Sequence, residues 1–390
     1  MEDSLGLRVV SHLLAAADRG VRIRLLLDDA FTSHEDLTLL AMEQHPNIEL
    51  RVYNPYGLRV GGTSGRVLFN IMDFRRVNHR MHNKALVIDG WAATIGGRNL
   101  ADEYFGLHDE YNFRDMEVIV MGDGVDGVAA HFAAFWNSEW SVPALEVFDA
   151  GHAAADLEAL RARLRDQVGP VQVATEEELE ALWRAAAGQA ASGRAHFVSD
   201  QPASPGAEPA EAPPDQMARF IIDTIDSATE EVTLVSAYLV PTADLSQAIE
   251  RAQARGVRIR ILTNSIRSNN HLAAYAAYSD YIRNLVGSGV ALYELRTDAV
   301  DRNLYMTTPV DDKKLGLHAK FMLIDADKVL IGSSNLDPRS LKLNTEVGLL
   351  VESTDLNARL RAAIAVDFLP RNAWSVQLDE SGDLVWVGEG

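Results

Sequence analysis

The sequence predicts a duplicated α/β protein: two α/β/α sandwiches related by approximate twofold symmetry, each with a mixed sheet. Three observations lead there. The stretch His82-Asn83-Lys84-Ala85-Leu86-Val87-Ile88-Asp89, followed by Gly96-Gly97-Arg98-Asn99, returns as His318-Ala319-Lys320-Phe321-Met322-Leu323-Ile324-Asp325 and Gly332-Ser333-Ser334-Asn335. Matched positions are separated by a constant 236 (318 − 82). The helix and strand ahead of each motif recur as well, as Leu7 to Asp18 and Val21 to Leu27, then Leu245 to Arg255 and Val257 to Leu262, with Gly20 and Gly256 between them again 236 apart (256 − 20).

At 390 residues and 47% hydrophobic, the chain is long enough for two ordinary cores. The Ala/Pro/Glu-rich stretch from Pro202 to Pro214 reads as a linker, which places domain 1 at 1–205 and domain 2 at 206–390. In the first domain, Leu7 to Asp18 stops at Gly20, Ser33 to Met42 forms a helix, and Ile48 to Tyr53 a strand. The motif strand Ala85 to Ile88 is followed by a strand ending at Val120 and an amphipathic helix beginning at Gly124. Ala154 to Gln167 and Thr175 to Ala186 read as external helices, and Ala195 to Val198 as a short strand.

In the second domain a helix over Asp215 to Asp226 precedes the strand Glu231 to Tyr238. Its first-half counterpart would lie upstream of Met1, so the first strand of domain 1 is expected to be missing, leaving a sheet edge that costs stability. Tyr275, Tyr278 and Tyr281 line one face of the helix Ala273 to Val286, as packing or as the wall of a ligand pocket. Val290 to Leu295 is a strand, and the tail after Ser375 a hairpin.

Composition excludes several chemistries. With no cysteine there is no disulfide scaffold, thiolate nucleophile or Cys-ligated metal. A net charge of −20, from 36 basic and 56 acidic residues, opposes a surface that attracts nucleic acid, although it allows a local basic pocket. No apolar run is long enough to span a membrane, and Met1 is not followed by the basic and apolar regions of a signal peptide.

His and Lys two apart on a strand project from one face, so each motif offers an imidazole beside an ammonium. A phosphodiester needs both, because a nucleophile must approach a negative charge while the leaving alkoxide takes a proton. Imidazoles titrate near neutrality and can do either task, and Lys84 and Lys320 would stabilise the non-bridging oxygens. No spacing of His, Asp and Glu forms a recognisable metal set, and no cofactor is expected. Asp89 and Asp325, beyond four apolar residues, read as structural turn closers. Arg75, Arg76 and Arg80 precede the first motif, either as a solvated surface or as a phosphate fork, with Arg80 the first choice for substrate binding.

The two segments RMHNKALVIDGWAATIGGRNLADEYF and LHAKFMLIDADKVLIGSSNLDPRS resemble the phospholipase D superfamily, and within it the bacterial cardiolipin synthase branch. The resemblance covers nearly the whole chain. It implies that the two H-x-K-x4-D motifs meet in one site, with one histidine forming a phosphohistidine and the other acting as acid and base. By that analogy His82 is the nucleophile and His318 the acid/base, although near-symmetry allows the reverse. Asp115 and Glu346 would orient the imidazoles, and Asn99 and Asn335 would line the site. No metal is required.

The implied activity is phosphatidyl transfer from phosphatidylglycerol to phosphatidylglycerol or phosphatidylethanolamine, giving cardiolipin in the first case. Hydrolysis to phosphatidic acid, a nuclease of the same superfamily and a catalytically silent interaction module are the alternatives. The expected protein is a bacterial monomer at a peripheral membrane surface, with no nucleic acid partner. Relatives carry an upstream export or anchoring segment, which implies the periplasmic face or inner membrane for a full-length form and a soluble chain as read here.

Overall fold

The computed structural model describes residues 3–31, 36–59, 74–148, 156–202 and 215–389. The chain begins α1 (Ser4–Asp18), β1 (Ile23–Asp28), α2 (Asp36–Glu43), β2 (Ile48–Tyr53), β3 (Ala85–Ile88), β4 (Ala92–Gly96), β5 (Tyr111–Arg114), β6 (Glu117–Met121) and α3 (Gly124–Trp136). It continues through β7 (Ser141–Pro143), α4 (Leu157–Gln167), α5 (Glu176–Gln189), β8 (Arg194–Ser199), α6 (Gln216–Asp226), β9 (Glu231–Ser236), α7 (Ala243–Ala254), β10 (Arg258–Asn264) and α8 (Leu272–Gly287). Then come β11 (Ala291–Leu295), β12 (Lys314–Leu317), β13 (Lys320–Ile324), β14 (Lys328–Gly332), β15 (Val347–Glu352), α9 (Thr354–Ile364), β16 (Ala373–Leu378) and β17 (Leu384–Val387).

Two compact units emerge. One comprises Met1–Met81, Ala133–Ser192 and Pro202–Glu211, the other His82–Phe132, Gly193–Gln201 and Ala212–Gly390. In the first, β1 runs parallel to β2 and β7 antiparallel to β2. The Asp3 carboxylate caps α1 by accepting the Gly6 N–H at 2.8 Å, and Leu7, Val10 and Leu14 form its buried stripe. Leu39, Leu50, Leu160 and Leu164 complete that core. Helix α5 opens with a Thr175–Glu178 capping box and buries no residue, as an external helix should.

The second unit holds a nine-stranded mixed sheet in the order β17-β16-β11-β10-β9-β13-β14-β15-β8. Both of its faces are covered, so β13 is apolar without alternation: Met322 and Ile324 pack into one core, Phe321 and Leu323 into the other. The first core includes Ile221 of α6, Leu245 of α7 and Tyr278 of α8. The second includes Val125 and Val128 of α3, Ile95 of β4 and Ile364 of α9.

The linear division at 205 describes the repeat and not these compact units, and that boundary itself falls outside the described residues, as does Ser33. The first motif lies in the segment His82–Phe132, within the second unit. Strand β8, expected in the first domain, pairs with β15 and closes an edge of the large sheet. The tyrosine stripe on α8 is packing: Tyr278 is buried, with its hydroxyl donating to Glu294 Oε1 at 3.1 Å.

The repeated motif strands differ in one respect. Strand β13 is flanked by β9 and β14 and wholly buried. Among the described residues β3 pairs only with β4, in a sheet ordered β3-β4-β6, and Leu86 and Ile88 are exposed. Among the described residues no helix is long and apolar enough to cross a membrane.

Candidate active site

Strands β5 and β12 pair in parallel, from Tyr111 opposite Lys314 to Arg114 opposite Leu317. This register releases Asp115 and His318 side by side, one residue beyond each strand. The His318 N–H donates to Arg114 O at 2.9 Å, and its Nδ1 lies 2.8 Å from Asp115 Oδ2. A second pair forms where the His82 N–H donates to Thr345 O at 3.1 Å, with Nδ1 lying 3.0 and 2.9 Å from Glu346 Oε1 and Oε2. Each acid thus holds the histidine of the opposite motif.

Ionised carboxylates only accept, so the Nδ1 hydrogens point at Asp115 and Glu346 and both Nε2 atoms keep a lone pair for chemistry. Lys320 Nζ sits 3.0 Å from His318 Nδ1 and donates to His318 O. The ring nitrogen is already donating to Asp115, so the carbonyl is the acceptor for Lys320. Lys84 Nζ donates to His82 O at 2.7 Å. The motifs also act on one another: Lys320 lowers the proton affinity of His82, and Lys84 that of His318.

Burial is the largest influence on each ring. It holds His82 below the ordinary imidazole value although Glu346 pulls upward, and it takes His318 down to about 3 with the help of Lys320. Burial also brings Lys320 down to about 7, against the upward pull of Asp115. Asp115 behaves oppositely, since burial would raise it but His318 and Lys320 keep it below the usual carboxylate range. Burial thus favours the neutral form of both imidazoles and brings Lys320 close to its titration point.

The supporting shell was only partly readable from sequence. Burying Glu346 completely would cost several kcal/mol without compensation, roughly the penalty for an unpaired ion. Ser333 donates to Glu346 Oε2, and the Val347 N–H fixes Ser333 Oγ at 3.0 Å. Asp200, which the sequence did not single out, accepts the Glu346 N–H at 2.9 Å and the Met217 N–H at 3.0 Å. It joins the end of β8 to the start of both β15 and α6. Burial raises Asp200 to about 6. No repeat or spacing marks it, because its partner residues are distant in the chain.

Asn264 does the same for the other histidine, accepting the Leu317 N–H at 2.8 Å and donating to Leu317 O at 2.8 Å. Asn99 donates to Tyr104 OH at 2.8 Å, and the Tyr104 ring stands edge-on to His318 at 4.8 Å. Asn335 is buried with its Oδ1 unpaired, which leaves it a polar atom for a ligand. Gly97 is required by close approach: a Cβ there would lie 3.0 Å from Lys320 Cδ and 3.1 Å from Asp115 Oδ1.

Asp89 and Asp325 share a left-handed backbone, with φ 49° and 47°, but differ in partners. Asp325 accepts the N–H groups of Thr229, Glu230 and Glu231 at 2.8 to 3.2 Å and closes the turn before β9. Burial would raise its carboxyl, yet these hydrogen bonds hold it below its ordinary value. Asp89 is exposed. Asp325→Asn should therefore lower unfolding free energy by about 1–3 kcal/mol, whereas Asp89→Asn should stay within about 0.5 kcal/mol. Urea midpoints decide, and equal losses in both variants would refute the assignment.

Arg80 is a correction. The sequence offered it as a headgroup ligand, but its guanidinium is buried and held by Asp28, with Nη2 2.8 Å and Nε 2.9 Å from Oδ1. The same carboxylate accepts the Met81 N–H at 2.8 Å. Arg80 therefore fixes the chain entering His82.

Among the described residues no group of three or more His, Cys, Asp or Glu side chains could hold a metal ion. The family described as "Cardiolipin synthase, PLD-like domain" matches residues 6–136 and 221–367. The chain is 35% identical to cardiolipin synthase C of Escherichia coli (strain K12) over 400 aligned positions, covering 99% of this chain and 81% of that protein. It is 26% identical to cardiolipin synthase A of Pseudomonas syringae pv. syringae (strain B728a) over 377, covering 96% of this chain and 63% of that protein. The solved phosphatidylserine synthase of Haemophilus influenzae Rd KW20 has the same fold, with a TM-score of 0.55 at 14% identity, over 93% of this chain and 84% of that one.

Proposed function

Because the chain belongs to the cardiolipin synthase family with phospholipase D-like domains, we propose that it moves a phosphatidyl group from phosphatidylglycerol to the alcohol of a second lipid through a phosphohistidine. The supporting observation is the pair of reciprocal histidine–carboxylate contacts, His82 with Glu346 and His318 with Asp115. Both come from one chain, so a monomer suffices.

In the first half-reaction His82 Nε2 attacks phosphorus while the bond from phosphorus to the headgroup oxygen breaks, and His318 Nε2–H gives that oxygen its proton. Glu346 stabilises the positive charge that develops on the attacking imidazole. In the second, His318 takes the proton of the incoming alcohol, whose oxygen attacks phosphorus as the bond to His82 breaks. The cycle returns His318 to its protonated form. The phosphodiester anion favours that charged ring, which burial alone would leave neutral. His82 as nucleophile is supported by its greater access, with its side chain 22% exposed against 5% for His318.

Phosphatidylglycerol and phosphatidylethanolamine are the candidate acceptors, met at a membrane surface. Incubation with labelled phosphatidylglycerol followed by lipid chromatography tests the reading. Cardiolipin is the expected product. Phosphatidic acid alone would make the protein a hydrolase, and no turnover by folded protein would leave an interaction module.

A further inference from the structure

The catalytic histidines lie at one end of the large sheet. The carboxyl end of β10 lies there too, tied to the strand that delivers His318 by Asn264, which bonds both the N–H and the O of Leu317. The loop that follows, Ser265 to Leu272, carries an unusual surface. Ile266 is 55% exposed and Leu272 68% exposed, the highest value for any large hydrophobic among the described residues. Between them Arg267 and His271 are also exposed.

This exposure belongs to a loop with a fixed frame. Ser265 Oγ donates to Leu295 O at 2.7 Å, the Ser265 N–H donates to Ser268 Oγ at 2.8 Å, and Tyr111 OH donates to Ser268 O at 2.6 Å. Tyr238 OH donates to Asn270 Oδ1 at 2.7 Å, and the Tyr238 ring meets His271 edge-on at 5.3 Å. Ser265 and Ser268 are buried while Ile266 and Leu272 face outward, against the usual pattern of a surface loop. Charge adds a second argument. In a chain of net charge −20, no acidic residue occurs between Glu250 and Asp280. Apolar chains beside basic ones suit the boundary of an anionic bilayer, where they enter among the acyl chains while cations meet phosphate.

We propose that the Ser265–Leu272 loop docks the protein on an anionic phospholipid bilayer, with Ile266 and Leu272 entering the interface and Arg267 and His271 facing lipid phosphates. The proposal rests on the reading that the substrate is a membrane phospholipid, and it names the surface that brings the site to it. A soluble short-chain substrate would not need this loop.

The test compares sedimentation with vesicles and turnover of dispersed lipid. The parent should bind vesicles of phosphatidylcholine mixed with phosphatidylglycerol, and Ile266→Ser/Leu272→Ser should bind them at least about tenfold more weakly. Arg267→Gln should weaken binding to those vesicles and leave binding to pure phosphatidylcholine vesicles unchanged. Turnover of monomeric dihexanoyl phosphatidylglycerol should stay within about twofold of the parent in all variants, because the loop contributes no group to the histidine pairs. Vesicle binding by the double variant equal to the parent's, or no binding by the parent, would overturn the proposal. Equal loss of short-chain turnover would also overturn it. A parent that binds vesicles but turns over no lipid would instead count against the transfer reaction.

Discussion

Replacing His82 or His318 with alanine is expected to lower phosphatidyl transfer by ~10⁴-fold or more, equivalent to at least about 5.5 kcal/mol of barrier. Each change removes a ring that forms or breaks a bond to hydrogen or phosphorus. Circular dichroism should be unchanged, because neither histidine lies within a helix or strand. The double variant should be scarcely worse than either single one, as for groups acting in one step. Rapid acid quench of a His318 variant offers a sharper view, because attack can outlast the loss of the acid and leave label on His82. Label on His318 in the His82 variant would reverse their roles, and full turnover without either ring would sink the mechanism.

The second large effect concerns Lys320. Its ammonium is charged below about pH 7 and neutral above it, because burial disfavours the charge. Only the charged form can stabilise the non-bridging oxygens, so kcat/KM, which reports the free enzyme, should fall more steeply above that point than below it, by about a further tenfold per pH unit. The corresponding limb of kcat should lie at higher pH, since bound phosphodiester favours the ammonium. Lys320→Met should remove the limb and lower the rate by about 10²–10³-fold at pH 6. A flat kcat/KM from pH 7 to 9 in the parent would exclude Lys320 from this role.

Stability follows the opposite sign. Between about 7 and the ordinary lysine value of 10.5, the unfolded chain binds more protons at this position than the folded one. The contribution of Lys320 to stability therefore rises with pH through that window, while its contribution to activity falls. The site keeps a cation where the fold would prefer none.

Much of this was legible in the sequence because duplication doubles the signal. One H-x-K pair says little, whereas two in register predict both motif strands and the helices before them, and α1, β2, α6 and α8 follow their hydrophobic periodicity. The position of β8 was not legible, since a short strand carries no sign of the sheet it joins. Nor was the crossing of the acids. Asp115 and Glu346 occupy like places after their own motifs, and only the parallel register of β5 with β12 shows that Asp115 reaches across to His318. Asp200 and Asn264 act through main-chain partners far away in sequence. Arg80 misled because proximity in sequence to the motif does not tell whether a guanidinium meets solvent or a carboxylate such as Asp28.

The exchange of acids makes each half of the site depend on the other. A chain with a single motif would need a second copy to complete such a site, with each copy lending its carboxylate to the other's imidazole. In the joined chain the two lenders differ, an aspartate on one side and a glutamate on the other. Neither half of the present chain contains a histidine together with the acid that orients it. A fragment carrying one motif keeps its ring but loses the group that sets its tautomer, so catalytic competence resides in the joined polypeptide.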